Sequence, residues 1–130
     1  MGLDNGIIIK ANKEIKAPFW VKLDFFNNLN RTRAEVCYWR KCWGIRNLII
    51  DELNNGDEDF FEYRLSVSDI HNIRRVLKYF NNRKRWTRFG QSIWDWDEIK
   101  WKLVYQQINL YWLAQYMEKN EVEVYFYDSY

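Results

Sequence analysis

A single proline and five glycines in 130 residues leave few places where the chain must break, so one domain of regular elements over residues 1–130 is expected, not a loop-rich or disordered chain. Only two cysteines are present, Cys37 and Cys42, without a Cys-x-x-Cys pair, and there is one histidine. A tetrahedral zinc centre therefore lacks its ligands and no metal is expected. The thiols are expected to be reduced, as in an intracellular protein. No run of about 18 apolar residues occurs, and Met1 is not followed by a basic segment and then an apolar one. Neither a membrane span nor secretion is expected, which leaves the cytoplasm. Gly44 and Gly90 stand alone and precede no Lys-Ser or Lys-Thr, so no phosphate loop is present and no cofactor is expected.

Aromatic residues, by contrast, are abundant: eight Trp, nine Tyr and eight Phe. A domain of this size has too few interior places for all of them, so some rings belong at the surface, where interfaces are built. The net charge of +2 is too small to predict nucleic-acid binding from whole-molecule electrostatics. Charge is zoned along the chain instead. Arg31, Arg33, Arg40, Lys41 and Arg46 precede an acidic zone of Asp51, Glu52, Asp57, Glu58, Asp59 and Glu62. A second basic zone runs from Arg74 to Arg88 before Asp95, Asp97 and Glu98.

The densest mixture of rings, cations and apolar side chains lies in residues 35–53. Val36, Trp39, Cys42 or Trp43, Ile49, Ile50 and Leu53 recur at spacings of three and four, which predicts a helix over residues 39–53 after a short extended piece at 35–38. Tyr38, Arg40, Lys41 and Arg46 are expected to face away from its core side. Residues 6–10 predict a buried strand after an irregular entry at Asp4-Asn5-Gly6, and residues 18–26 a second strand. Residues 60–65 predict another. Ser66 with Asp69 three residues on is a capping-box pattern, flanked by Leu65 and Ile70 as a hydrophobic staple. The helix it opens carries Ile70, Ile73, Leu77 and Phe80 on one face and Arg74, Arg75 and Lys78 on others. A long helix is predicted over residues 95–119. Ile99, Leu103, Leu110, Leu113 and Met117 form one stripe, and Trp101, Tyr105, Ile108, Trp112 and Tyr116 a second, implying burial against both a sheet and another helix or subunit. Alternation over residues 121–127 predicts a final strand. The expected fold is α+β, a small mixed or antiparallel sheet of about four strands packed with three helices.

Four constellations are candidates for function. Tyr38, Arg40, Lys41 and Arg46 could stack on and pair with an anionic ligand, against the alternative that Trp39 is core and the cations are solvated. Arg83, Lys84, Arg85, Trp86 and Arg88 interleave charge with rings, a pattern suited to phosphate contacts and base stacking, or else a solvated loop. Asp4 is either a functional carboxylate or a turn cap. Asp95, Asp97 and Glu98 favour a helix start by the macrodipole more than a metal site. His71 has no serine, cysteine or carboxylate at a spacing that would make it a catalytic base. Acid–base groups are nowhere visibly paired, and an enzyme is the least supported class.

The segments Met1-Gly2-Leu3-Asp4, Glu35-Val36-Cys37-Tyr38-Trp39-Arg40-Lys41, Tyr63-Arg64-Leu65-Ser66 and Tyr127-Asp128-Ser129-Tyr130 together resemble a family of small phage and prophage accessory proteins. Members start Met-Gly-Leu-Asp, carry Glu-Val-x-Tyr-Trp-Arg-Lys before a helix and finish in an aromatic, serine-containing end. The likeness runs through nearly the whole chain in order. The family pattern places a His where this chain has Arg46, and often Ala-Asn in place of Cys42-Trp43. The resemblance implies a protein acting in the bacterial host cytoplasm that binds and disables a host factor, in anti-defence or host takeover, with no mechanism attached.

Two readings stand side by side. In the first, the surplus of rings and the doubly apolar last helix serve capture of a host bacterial protein, with room for a homo-oligomer. In the second, Tyr38 to Lys41 and the basic segment at residues 83–89 bind a nucleotide or nucleic acid.

Overall fold

The computed structural model describes residues 4–18, 21, 25–26, 32–40, 43–54, 62–81 and 96–129. In chain order the elements are strands β1 (Asp4–Ala11), β2 (Phe25–Phe26) and β3 (Arg33–Arg40), helix α1 (Trp43–Asn54), strand β4 (Glu62–Arg64), helices α2 (Val67–Asn81) and α3 (Trp96–Lys119), and strand β5 (Val122–Ser129). The strands form one antiparallel sheet in the order β2-β3-β1-β5-β4. This is the expected α+β architecture. The second strand is shorter than residues 18–26 would make it: Phe25 and Phe26 pair with β3, while residues 19–20 and 22–24 lie outside the described residues.

The largest correction concerns residues 35–53. Residues 33–40 are a full strand and α1 starts at Trp43, not Trp39. A bulge explains the misleading period. Ile7 pairs with Cys37 and Ile8 with Glu35, so Val36 is an extra residue in β3. Val36, Cys37 and Trp39 are all buried, and the extra residue turns a spacing of two into one of three that reads as helical. Asn5 is likewise not irregular but a buried strand residue.

One face of the sheet carries Ile7, Ile9, Cys37, Trp39, Val124 and Phe126, all at 0–1% exposure. Against it lie Ile45, Ile49 and Ile50 of α1, Ile70, Ile73, Leu77 and Phe80 of α2, and Leu103, Leu110 and Leu113 of α3 in one core. Helix α2 is the middle helix and packs against both α1 and α3. Its start is set locally: Ser66 N–H donates to Asp69 Oδ2 (2.9 Å) and Asp69 N–H to Ser66 Oγ (3.2 Å). Leu65 and Ile70 are buried on either side as the staple requires.

Two amides of α3, one turn apart, bond to carbonyls at the bulged end of β3. Asn109 Nδ2 donates to the Val36 carbonyl (3.3 Å) and Gln106 Nε2 to the Tyr38 carbonyl (3.3 Å). Gln106 Oε1 also accepts from Trp39 Nε1 at 2.8 Å. Both amides are 1% exposed, and they fasten α3 to the sheet in one register.

Candidate functional site

The fold distributes the residues singled out from sequence over opposite sides of the sheet. Tyr38 and Arg40 alternate with the core-facing Trp39 and are in register with Gly6 and Asp4, and Lys102 of α3 reaches over the Tyr38 ring, its Nζ 5.6 Å from the ring centre. Tyr38 Oη donates to Asp4 Oδ1 at 2.7 Å. That bond, with burial and the Asp4 charge, pushes the Tyr38 hydroxyl up to about 12. Asp4, weighed as a functional carboxylate or a turn cap, is a residue of β1 whose carboxylate accepts the Tyr38 hydroxyl. Across Gly6, Tyr127 Oη donates to Glu35 Oε2 at 3.0 Å. Its hydroxyl is pushed upward first by burial and then by the Glu35 charge. The Tyr127 ring lies directly over Gly6, where a Cβ would come within 2.6 Å of Tyr127 Cε1 and 2.7 Å of the Cys37 carbonyl oxygen. Two hydroxyl–carboxylate pairs therefore flank a glycine, and the Asp4 and Glu35 charges lie beside the Tyr38 ring.

Arg46 is a correction. It does not join Tyr38 and Arg40 on a ligand-facing flank but is 2% exposed, inside the core at the end of the sheet. Its Nη2 donates to Asp128 Oδ2 at 2.8 Å and its Nε to the same oxygen at 3.2 Å. Asn5 Nδ2 donates to Asp128 Oδ1. Asp128 is the inward residue of β5 after Val124 and Phe126, so the pair closes the apolar layer and is structural. Lys41, Arg83, Lys84, Arg85, Trp86 and Arg88 lie outside the described residues.

The surface that stands out is the solvent side of α2 and α3. Tyr79, Tyr105, Ile108 and Tyr111 are 40–48% exposed, the large apolar side chains that the described fold leaves most open. Tyr105 and Ile108 belong to the stripe for which a second layer was expected. Trp112 of that stripe is buried with its ring tilted against Tyr116 at 4.9 Å, while Tyr105 and Ile108 are 40% exposed. Between the helices runs a groove of about 310 Å³ lined by His71, Arg74, Arg75, Lys78 and Gln107. The four nitrogen-bearing residues of α2 recur at i, i+3, i+4 and i+7, so they form one row opposite the buried face. Arg74 Cζ lies 4.9 Å from the centre of the Tyr111 ring, and Arg74 Nη1 is 3.1 Å from His71 Nδ1. Arginine can only donate, so Nδ1 accepts and the neutral ring carries its proton on Nε2. On the other side of α2 a wider groove of about 590 Å³ is lined by Leu48, Asp51 and Glu52 of α1 and Asn72, Arg75, Val76 and Tyr79 of α2.

Helical spacing alone marks Arg74, Arg75 and Lys78 as off the apolar face. What it cannot convey is that Gln107 and Tyr111 arrive beside them from a different helix. Among the described residues no group of three or more His, Cys, Asp or Glu converges as a metal site would need, and no helix is long and apolar enough to cross a membrane. Comparison with family profiles, curated proteins and solved structures finds no match to this chain.

Proposed function

We propose that this protein is a non-enzymatic phage accessory protein that captures a host bacterial protein, in anti-defence or host takeover, and that the ridge formed by α2 and α3 is the contact surface. The observation that carries the reading is the exposure of Tyr79, Tyr105, Ile108 and Tyr111 on two adjacent, well-anchored helices. Tyrosine supplies large contact area with little side-chain entropy to lose, and rigid helices present it without reorganisation. The Gln106 and Asn109 bonds hold the opposite side of α3 on the sheet, so its outward ring positions are fixed before any partner arrives. A nucleotide or nucleic acid at Tyr38 and Arg40 is less well supported, because the Tyr38 hydroxyl is already bonded to Asp4 and the ring is covered on one side by Lys102.

Affinity capture from bacterial lysate with the wild type and with a Tyr105→Ser/Ile108→Ser/Tyr111→Ser variant in parallel tests the reading. One host protein retained stoichiometrically by the wild type and lost with the folded variant is the expected result. Identical recovery with both, or a homo-oligomer whose rings are already covered, contradicts it.

A further inference from the structure

Independently of protein capture, the α2–α3 groove has the chemistry of an anion site. We propose that it binds a small ligand through a phosphate group, held by Arg74, Arg75, Lys78 and the Nε2–H of His71, with the Gln107 amide across the groove. Three observations point the same way. The ion pairs between described residues join Lys10 to Glu62, Arg46 to Asp128 and Arg64 to Glu123; none involves Arg74, Arg75 or Lys78. The cations of the row therefore lack a described carboxylate at ion-pair distance, although the chain as a whole is almost neutral at +2.

Arg74, moreover, is not a side chain waving in water. Its guanidinium is stacked on Tyr111 and its Nη1 is tethered to His71, yet its Nε is buried and has no acceptor. A buried donor without a partner is unfavourable, and an acceptor that reaches it from the groove removes that penalty. The Tyr111 ring and the His71 bond hold the guanidinium in place at the groove, so less freedom is lost when an oxyanion binds.

The charge and length of the row select the ligand. Three permanent cations exceed what one carboxylate neutralises and match a phosphomonoester at about −1.5 to −2, or a diphosphate. From His71 to Lys78 the row spans seven residues, about 10 Å at ~1.5 Å per residue. That is the reach of one small ligand, whereas single-stranded nucleic-acid sites cover about 4–16 nucleotides per module. A groove near 310 Å³ lies at the small end of ligand pockets, and Tyr111, in contact with Arg74 and 48% exposed, stands beside it for the non-phosphate part.

The chain has one histidine, so the imidazole signals of His71 report this groove without ambiguity in NMR. Inorganic phosphate and pyrophosphate are titrated at constant pH and ionic strength, with chloride replaced, and an oligonucleotide is titrated in parallel. The expected result is a saturable shift of the His71 signals with pyrophosphate. Arg75→Gln/Lys78→Gln, two exposed changes that leave the core intact, weaken it about tenfold or more, since each removes a charge-assisted hydrogen bond. Arg74→Lys keeps the charge but loses the stacked plane, and it also weakens binding. His71 signals that do not move beyond the chloride control, that move equally in the Arg75→Gln/Lys78→Gln protein, or that respond to the oligonucleotide alone each overturn the proposal. Host-protein capture is read separately by Tyr105→Ser/Ile108→Ser, which leaves the Tyr111 ring under Arg74 in place.

Discussion

Arg46 on α1 and Asp128 on β5 form an ion pair at 2.8 Å with side chains 2% and 0% exposed, joined across 82 positions of sequence. Removing one partner strands the other charge in the core. Asp128→Leu or Arg46→Met alone is expected to destabilise the protein by about 3–5 kcal/mol, whereas the double change is far milder because no charge is left uncompensated. Urea midpoints of the two single variants and the double variant check this. A double variant as unstable as the sum of the singles would contradict it.

Gly6 is required by what lies on both of its sides. Gly6→Ala places a Cβ 2.6 Å from the Tyr127 ring and 2.7 Å from the Cys37 carbonyl oxygen, and overpacking of this kind costs about 1–3 kcal/mol. The backbone carbonyl cannot swing away as a ring can. Gly6→Ala is therefore expected to remain destabilising in a Tyr127→Ala background, measured by thermal unfolding of the four proteins of the cycle. Full relief by Tyr127→Ala would show that the Cys37 contact is unimportant.

Much of this fold is legible in the sequence where its cause is local. Helix α2 is announced by Ser66, Asp69, Leu65 and Ile70, and the structure starts it there. Strand β5 follows its alternation, with Val124 and Phe126 inward. The boundary between β3 and α1 is not legible, because the bulge at Val36 replaces a strand period by a helix-like one. The burial of Arg46 is hidden for a different reason: its counterion lies on the last strand, and nothing near Arg46 announces it. The groove is half legible. Its cation row follows from helical spacing, but Gln107 and Tyr111 join it only through the packing of α3 on α2.

Gln106 holds two partners at once, accepting from Trp39 Nε1 and donating to the Tyr38 carbonyl. Gln106→Leu removes both bonds and leaves the buried Trp39 indole N–H without this acceptor, and each bond lost in this way costs about 1–3 kcal/mol. The expected outcome is a loss of about 2–4 kcal/mol together with a shift in Trp39 indole N–H in NMR. An unchanged unfolding midpoint would mean that water replaces the amide.

Tyr38 ties stability to alkaline pH. Its hydroxyl is raised from 10.0 to about 12, first by the bond to Asp4 and then by burial; Tyr127 is raised as well, first by burial. A raised folded-state value means that the neutral hydroxyl stabilises the fold. That contribution is complete below the unfolded value near pH 10 and is lost as pH climbs through the folded value near 12. Ultraviolet titration of the folded protein should show late-ionising tyrosines that disappear in Tyr38→Phe and Tyr127→Phe, and Asp4→Asn should bring the Tyr38 step earlier. All tyrosines ionising in one step near pH 10 would contradict the two hydroxyl–carboxylate pairs.

The most direct measurement for host capture is tyrosine footprinting of the isolated protein and of its captured complex, read by mass spectrometry. Tyr79, Tyr105 and Tyr111, 40–48% exposed on the α2–α3 ridge, are expected to react freely in isolation and to be protected in the complex, while Tyr125 on the far sheet face keeps its reactivity. Protection confined to Tyr125, or unchanged reactivity at all three ridge tyrosines, would show that this ridge is not where a partner binds.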